Sequence, residues 1–272
     1  MRIFFLGDVM GRPARQQVIA DLSALKSEFA ADFMIVNVEN SAGGFGVTPE
    51  IADAILAAGA DVMTTGNHVW DKREIFNYIM KEQRLLRPYN MVEATPGNGF
   101  VIVENDQGQR LAVANFITNL FMAENNHVFF SLDQFLGKVK LGRDADAIFI
   151  DIHGEATSEK TAIGFAADGK VSAVIGTHTH IPTADHRILP HGTAYQTDAG
   201  MCGDYVSIIG MQPEAALGRF RGVPQGRLDV AKGEPTLAGV IIDTDDATGL
   251  ATAITPFRRG GVLSATHDGR SS

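Results

Sequence analysis

A single cysteine, Cys202, stands among the 272 residues, so the chain cannot form a disulfide with itself. A chain without internal disulfides suits a reducing compartment. Long apolar runs are missing as well. Asp8 ends the apolar start of the chain too early for a signal peptide, and no stretch approaches the ~20 apolar residues that a membrane span needs. These absences predict a cytoplasmic protein without a membrane anchor.

Basic residues are in the minority. The chain has 23 Lys and Arg residues against 32 Asp and Glu residues, and its formal net charge is −9. An acidic balance argues against non-specific binding to a nucleic-acid backbone, which requires a basic surface. It leaves small phosphorylated substrates open, because a bound metal ion can reverse the local field. The sequence also leaves a homo-oligomer open.

Strand and helix patterns alternate along the chain. Apolar runs at residues 3–6, 33–38 and 60–65 predict buried strands, and a helical pattern follows each of them. Thr48-Pro49-Glu50 predicts the N-cap and first turn of the second helix. Later runs predict strands at residues 100–103, 111–116, 147–152, 171–175, 194–197, 237–242 and 251–255. The alternation predicts an α/β fold in which helices cover a parallel sheet.

No linker or repeat divides the sequence, so we expect residues 1–272 to form a single domain. Residues 117–142 are rich in Phe and Asn and follow no clear period. We interpret them as an inserted loop or a lid over a site. Residues 258–272, which include Gly260 and Gly261, are expected to fray.

Side chains that can bind metal ions follow five of the predicted strands. They are Asp8, Glu39 with Asn40, Asn67 with His68, His153, and His178 with His180. Open α/β sheets bind ligands at the carboxyl ends of their strands, so we expect these groups to meet. Imidazoles together with carboxylates suit Zn, Mn or Fe. Six or seven ligands favour two ions, with Glu39 as the natural bridge, although Asn40 could instead be a turn residue.

Taken together, these motifs resemble the calcineurin-like metallophosphoesterases, and more closely the YmdB type within that superfamily. Met10 and Glu39 stand where many superfamily members have His and Asp, and both departures fit the YmdB type. The resemblance extends from residue 1 to about residue 255. The segments that carry it are Phe5-Leu6-Gly7-Asp8-Val9-Met10-Gly11, Asn37-Val38-Glu39-Asn40, Thr65-Gly66-Asn67-His68-Val69-Trp70-Asp71, His153-Gly154-Glu155-Ala156-Thr157-Ser158-Glu159-Lys160, Gly176-Thr177-His178-Thr179-His180 and Thr197-Asp198-Ala199-Gly200-Met201.

The resemblance implies a metallophosphoesterase-like β-sandwich flanked by helices, with the metal site at the carboxyl ends of the strands. It implies two divalent or mixed-valence ions, with iron expected and manganese or zinc also compatible with the ligands. The implied ligands are Asp8, Glu39, Asn40 and His180 for one ion, and Glu39, Asn67, His153 and His178 for the other.

The mechanism expected from this arrangement is attack on phosphorus by a hydroxide that bridges the two ions. His68 follows the ligand Asn67 directly, and we predict that it donates a proton to the leaving oxygen. Asp71 could orient the His68 ring or cap the next helix. Thr157 and Ser158 could bind a phosphate at a helix start or cap that helix. The histidines without a strand-end position are predicted to be non-catalytic: His127, His186, His191 and His267.

The residue set fits phosphomonoesters and phosphodiesters equally well. Resemblance to the YmdB type implies a phosphodiesterase that acts on cyclic nucleotides such as 2′,3′-cyclic AMP. The alternatives are a phosphomonoesterase or a protein phosphatase of the same fold, or a non-catalytic regulatory protein that senses a nucleotide. His68 argues against the last alternative, because a purely structural metal site has no use for an additional acid.

Overall fold

The computed structural model of the chain describes residues 1–92, 94–223 and 226–266. The helices within these ranges are α1 (Gly11–Glu28), α2 (Pro49–Ala57), α3 (Ile75–Ile79), α4 (Val128–Lys138), α5 (Thr157–Ala167) and α6 (Pro213–Phe220). The strands are β1 (Arg2–Leu6), β2 (Asp8–Val9), β3 (Phe33–Asn37), β4 (Val62–Thr64), β5 (Phe100–Glu104), β6 (Arg110–Ile117), β7 (Ala147–His153), β8 (Ala173–Thr177), β9 (Arg187–Ile188), β10 (Ala194–Gln196), β11 (Met201–Cys202), β12 (Leu237–Thr244) and β13 (Ala251–Arg259).

The large strands form two mixed sheets. The first sheet has the order β13-β12-β1-β3-β4, and the second has the order β5-β6-β7-β8-β10-β9. Parallel pairs β1/β3 and β3/β4 lie in the first sheet, while β12 pairs antiparallel with β1. The predicted α/β sandwich flanked by helices is confirmed. Strands β1, β3 and β4 pair in parallel, as the alternation near the start of the chain predicts, whereas hairpin strands continue each sheet in the antiparallel sense.

The two sheets pack face to face, and helices cover their outer faces. Ile3 and Phe5 of β1 lie in the core between the sheets, where the Phe5 and Phe149 ring centroids are 5.0 Å apart. Phe4 and Leu6 point the other way, into the core shared with α1 and α2. Alternate residues of a strand face opposite sides of the sheet, so a strand buried on both sides must be apolar throughout. This requirement explains the unbroken apolar run at residues 3–6.

The second helix begins as the sequence predicts. Thr48 is the N-cap of α2, its hydroxyl accepts a hydrogen bond from the Ile51 N–H, and Pro49 follows in the first turn. The third helix begins later than expected. It starts at Ile75 with Glu74 at its N-cap position, so Asp71 does not cap it.

Two segments differ from their interpretation in the sequence. Helix α4 occupies much of residues 117–142, and its Leu132 and Phe135 are buried against the second sheet. Residues 118–127 form a loop before that helix, and a lid role for this loop stays a prediction. Arg258 and Arg259 belong to β13 rather than to a frayed tail, whereas residues 267–272, including His267, lie outside the described residues. No helix in the described part of the chain is long and apolar enough to cross a membrane.

Parallel pairing aligns the strand ends that carry the predicted ligands. Ile117 of β6 pairs with His153 of β7, and His153 in turn pairs with Thr177 of β8. In the first sheet, Asn37 of β3 pairs with Thr64 of β4. A hydrogen bond of 2.9 Å from Asn37 Nδ2 to Asp151 Oδ2 joins the two sheets next to these ends. The carboxyl ends of both sheets therefore meet at one edge of the sandwich.

Candidate metal centre

The His153 imidazole lies at the middle of a cluster of electron-rich atoms. Its Nε2 is 3.1 Å from Glu39 Oε1, 3.0 Å from Asn67 Oδ1 and 3.1 Å from His178 Nδ1. Ligand atoms of Glu39, His153 and His178 all lie within 4.8 Å of one another. Lone pairs that converge in this way require a proton or a cation between them. A carboxylate, an amide oxygen and two imidazoles suit a transition-metal ion.

A second group of predicted ligands lies beside the first. Asn40 Oδ1 is 3.2 Å from His180 Nε2, and His180 Nδ1 donates to the Ile209 carbonyl over 2.8 Å. Asp8 Oδ2 accepts a hydrogen bond from the His178 N–H at 3.2 Å. Its other oxygen, Oδ1, is buried and has no hydrogen-bond partner among the described residues. A buried carboxylate oxygen without a partner is costly, so a bound cation fits this position.

The loop that follows β8, residues 178–180, adopts an unusual backbone conformation. We call it the histidine loop. His178 and His180 have φ values of 97° and 67°, in a region that non-glycine residues seldom occupy. The Asp198 carboxylate holds this loop by accepting hydrogen bonds from Thr179 N at 3.0 Å and Thr179 Oγ1 at 2.8 Å. Lys160, itself fully buried, donates to Asp198 Oδ2 at 3.1 Å. Asp198 and Lys160 therefore position both imidazoles.

A hydrogen-bond chain behind His153 fixes its ring. Thr177 Oγ1 lies 2.9 Å from His153 Nδ1 and donates its proton to Asp151 Oδ1 over 2.7 Å. The hydroxyl has only one proton, so it must accept from His153 Nδ1–H. With its proton on Nδ1, the ring turns the lone pair of Nε2 towards the cluster. Thr177 thus acts as the outer hydrogen-bond partners of metal-binding histidines usually do.

Ionisation of the cluster is uneven. Burial lowers the pKa of His153, but the hydrogen-bonded Glu39 carboxylate outweighs burial and raises that pKa to about 9. Burial and the positive charge on His153 lower the pKa of His178 to about 3. Burial raises the pKa of Glu39, yet the charge on His153 dominates and holds it at about 2. Without a metal ion, the positive charge beside the Glu39 carboxylate is thus that of protonated His153.

We expect the affinity of the metal-depleted chain for Mn²⁺ to rise between pH 7 and pH 9. An ion that binds at His153 needs the neutral imidazole, and the fraction of neutral imidazole increases roughly tenfold per pH unit below the pKa of about 9. Isothermal titration calorimetry at three pH values measures this slope. In His153→Asn the slope should flatten, and a wild-type affinity that does not change with pH would contradict the assignment.

His68 stands at the rim of the cluster. Its Nδ1 lies 2.8 Å from Asp71 Oδ2, and its backbone N–H donates to Glu39 Oε2 at 3.3 Å. The Phe45 ring packs edge-on against the imidazole with centroids 5.0 Å apart. Asp71 thus contacts the His68 ring and does not cap α3, which supports the orienting alternative and overturns the capping one.

Thr157 and Ser158 lie in the first turn of α5, immediately after the His153 loop. Ala156 occupies the N-cap position and makes no side-chain cap, so the capping alternative for these residues is wrong. Both side chains are exposed, and phosphate binding by them stays a prediction. Glu155, for which the sequence predicts no role, places its Oε2 3.3 Å from His178 Nε2.

Gly66 leaves room for the cluster. A Cβ atom at this position would lie 2.3 Å from Glu39 Oε2 and 2.3 Å from His153 Nε2. Gly66→Ala is therefore expected to displace these ligands and to lower bound metal and turnover by about tenfold or more, since outer partners of metal ligands commonly contribute about 10–100-fold. Metal analysis and a diesterase assay measure the effect. The control is Gly137→Ala in α4, where a Cβ meets nothing within 4 Å. Equal metal content in both variants would refute the crowding argument.

A family model described as "YmdB-like protein" matches residues 4–257. The 2′,3′-cyclic-nucleotide 2′-phosphodiesterase of Bacillus subtilis strain 168 is 46% identical over 254 residues, which cover 93% of this chain and 95% of that protein.

Two solved structures superpose closely on the chain. A hypothetical protein from Thermus thermophilus has a TM-score of 0.88 at 36% identity, with 96% of this chain and 100% of that chain covered. A protein from Mycoplasma pneumoniae described as a novel phosphatase has a TM-score of 0.88 at 32% identity, with 96% and 93% covered. The coverage of both matches takes in nearly the whole of this chain.

Proposed function

This chain belongs to the YmdB-like protein family, and on that premise we propose that it is a dinuclear-metal phosphodiesterase that hydrolyses cyclic nucleotides such as 2′,3′-cyclic AMP. The observation that carries the proposal is the convergence of Glu39, Asn67 and His178 on His153 Nε2, beside the unpartnered Asp8 Oδ1. The Bacillus subtilis relative, a cyclic-nucleotide phosphodiesterase, supports the substrate class.

We infer two metal sets that share Glu39. The contact between Asn40 and His180 supports the first set, and the contacts of His153 with Asn67 and His178 support the second. Iron is our proposed occupant, and the nitrogen and oxygen ligands also accept manganese or zinc. The proposed ligands are Asp8, Glu39, Asn40 and His180 for one ion, and Glu39, Asn67, His153 and His178 for the other.

When bound, the ions would supply Lewis acidity that ionises water near neutral pH and neutralises charge on the phosphoryl oxygens. The residues of the chain do the remaining work. Opening of a 2′,3′-cyclic phosphate breaks a P–O bond to the ribose and leaves a strongly basic alkoxide. His68 donates a proton from Nε2 to that oxygen, while Asp71 accepts from Nδ1 and holds the ring in the required tautomer.

We further propose that residues 1–272 act as one catalytic domain, since ligands from both sheets build a single site. The loop at residues 118–127 begins next to this site, where the Thr118 N–H donates to the His153 carbonyl at 2.9 Å. Its Asn119 and Leu120 N–H groups each donate to the Glu159 carboxylate of α5 at 2.9 Å. Thr157 and Ser158, in the same first turn of α5 as that anchor, are placed to bind a phosphate oxygen with the N-terminal N–H groups of the helix.

A substrate panel on protein of measured metal content tests the proposal. The panel compares 2′,3′-cyclic AMP, 3′,5′-cyclic AMP, a generic phosphodiester and a generic phosphomonoester. We expect the highest kcat/KM for the 2′,3′-cyclic substrate. A preference for the monoester would favour a phosphatase. Complete inactivity of metal-replete protein would favour a nucleotide-sensing regulator and would end the enzymatic proposal.

A further inference from the structure

A cavity of about 790 Å³ lies between the edge strand β5 and helix α4. None of its lining residues belongs to the candidate metal centre. Strand β6 lies between β5, at the cavity, and β7, which carries His153. Among the described residues, no Asp or Glu lines the cavity, although the chain has a net charge of −9. Arg87, Lys138 and His127 all line it. A basic cavity in an acidic protein favours an anionic ligand.

Arg87 is the most informative of these residues. Its side chain is only 8% exposed, and its described hydrogen bonds all go to backbone carbonyls. The shortest joins Nη1 to the Pro88 oxygen over 2.8 Å, and the other three are 3.3 Å long. Burial lowers the pKa of the Arg87 guanidinium. These bonds use four of the five N–H groups of the guanidinium and leave one on Nη2. Carbonyl dipoles hold the cation but do not neutralise it, so an incoming anion would gain a charge-assisted bond from the remaining N–H.

Lys138 and His127 add positive or protonatable groups from α4. Lys138 Nζ donates to Tyr89 Oη at 3.0 Å and lies 5.6 Å from the centroid of that ring. His127 occupies the N-cap position of α4 and makes no side-chain cap bond, so its ring nitrogens are not needed to stabilise the helix. Both residues are exposed and line the cavity.

The remaining lining suits a flat, aromatic ligand. Phe130 is 70% exposed, and its ring centroid lies 4.8 Å from that of His127. Tyr89 and Phe100 also line the cavity, together with amide side chains such as Asn98 and Gln134. Exposed aromatic rings stack on nucleobases, and amides can bond to the edges of a base. Cations and aromatic faces in one cavity are the combination that a nucleotide requires.

We propose that this cavity is a second nucleotide site, which binds a nucleoside monophosphate. Arg87 and Lys138 supply the positive charge for the phosphate, His127 supplies a ring N–H that can donate to it, and Phe130 supplies a stacking face for the base. The site would act independently of the metal centre, so the inference does not depend on the proposed catalytic activity.

Equilibrium binding of AMP to metal-loaded protein tests the inference. The test variant is His127→Gln/Lys138→Gln, and the matched control is His191→Gln/Lys140→Gln, which removes the same residue types from exposed positions outside the cavity. We expect the test variant to lose at least about tenfold in affinity at one class of AMP site and the control to retain it. The circular-dichroism spectrum and the midpoint of thermal unfolding should match those of the wild type in both variants, which verifies folding without recourse to activity.

Two further probes examine the ligand chemistry. Adenosine should bind at least about tenfold more weakly than AMP, because it cannot use the cationic groups, and inorganic phosphate should compete with AMP. Equal AMP affinity in the test variant and the wild type would overturn the inference, as would equal affinity for adenosine and AMP. An equal loss in the control would also overturn it, since a general charge effect would then explain the binding.

Discussion

Glu39→Gln is expected to lower the metal content of the purified protein towards zero and to reduce phosphodiesterase turnover by at least about 10²-fold. Glu39 is 1% exposed and has a pKa of about 2, so it is an anion throughout the physiological range. Its Oε1 faces His153 Nε2, and its Oε2 accepts from the His68 N–H. Glutamine preserves the shape of the side chain but removes the charge that two cations would share.

Metal analysis by mass spectrometry and an NMR titration of His153 provide two separate readouts. Without the Glu39 charge, the pKa of His153 should fall below its value of about 9, and this change does not depend on bound metal. Glu104→Gln, which removes an exposed carboxylate at the end of β5, is the control and should alter neither quantity. Retention of two ions by Glu39→Gln would remove the bridging role.

The strands could be predicted because their burial is local information. The apolar runs at residues 33–38 and 147–152 correspond to β3 and β7 within a residue or two. Local apolar runs do not predict how the strands divide into two sheets. It depends on β12 pairing with β1, and Arg2 pairs with Asp243 across almost the whole chain. Such pairings leave no periodic signal in either strand.

The clustering of the proposed metal ligands was predictable because each stands at the end of a strand, where the sheet topology brings side chains together. Their supporting residues were not. Asp151 and Thr177 look like ordinary strand residues, and their effect on His153 appears only once β7 lies beside β8. Lys160 and Asp198 meet across 38 residues of sequence to hold the histidine loop. Groups that act through other residues depend on long-range packing, which spacing alone does not encode.

A further limit of the sequence concerns Asp71, Thr157 and Ser158, which each stand near a predicted helix start. A residue near a helix start can cap the helix or contact a ligand, and the sequence does not specify the boundary to within one residue. In the folded chain α3 begins at Ile75, well after Asp71, so the Asp71 carboxylate is available to His68. Asp71 is thus a second residue beside the proposed proton donor, and its substitution gives a second test of proton transfer.

His68→Gln is expected to lower kcat for 2′,3′-cyclic AMP by about 10²–10⁴-fold while the metal content stays unchanged. The loss should shrink to less than about tenfold for a p-nitrophenyl phosphodiester, whose leaving group needs no proton. Asp71→Asn should show the same substrate dependence with a smaller loss, because it removes the acceptor 2.8 Å from Nδ1 but retains the imidazole.

Steady-state kinetics with both substrates, on protein of measured metal content, distinguish proton donation from a structural role. Damage to the metal centre would reduce turnover of both substrates equally, whereas loss of an acid affects only the substrate with the poor leaving group. His186→Gln, which alters an exposed histidine remote from the strand ends, should leave both activities intact. Equal losses for the two substrates in His68→Gln, or turnover near that of the wild type, would exclude His68 as the proton donor and leave the catalytic acid to be sought elsewhere at this edge.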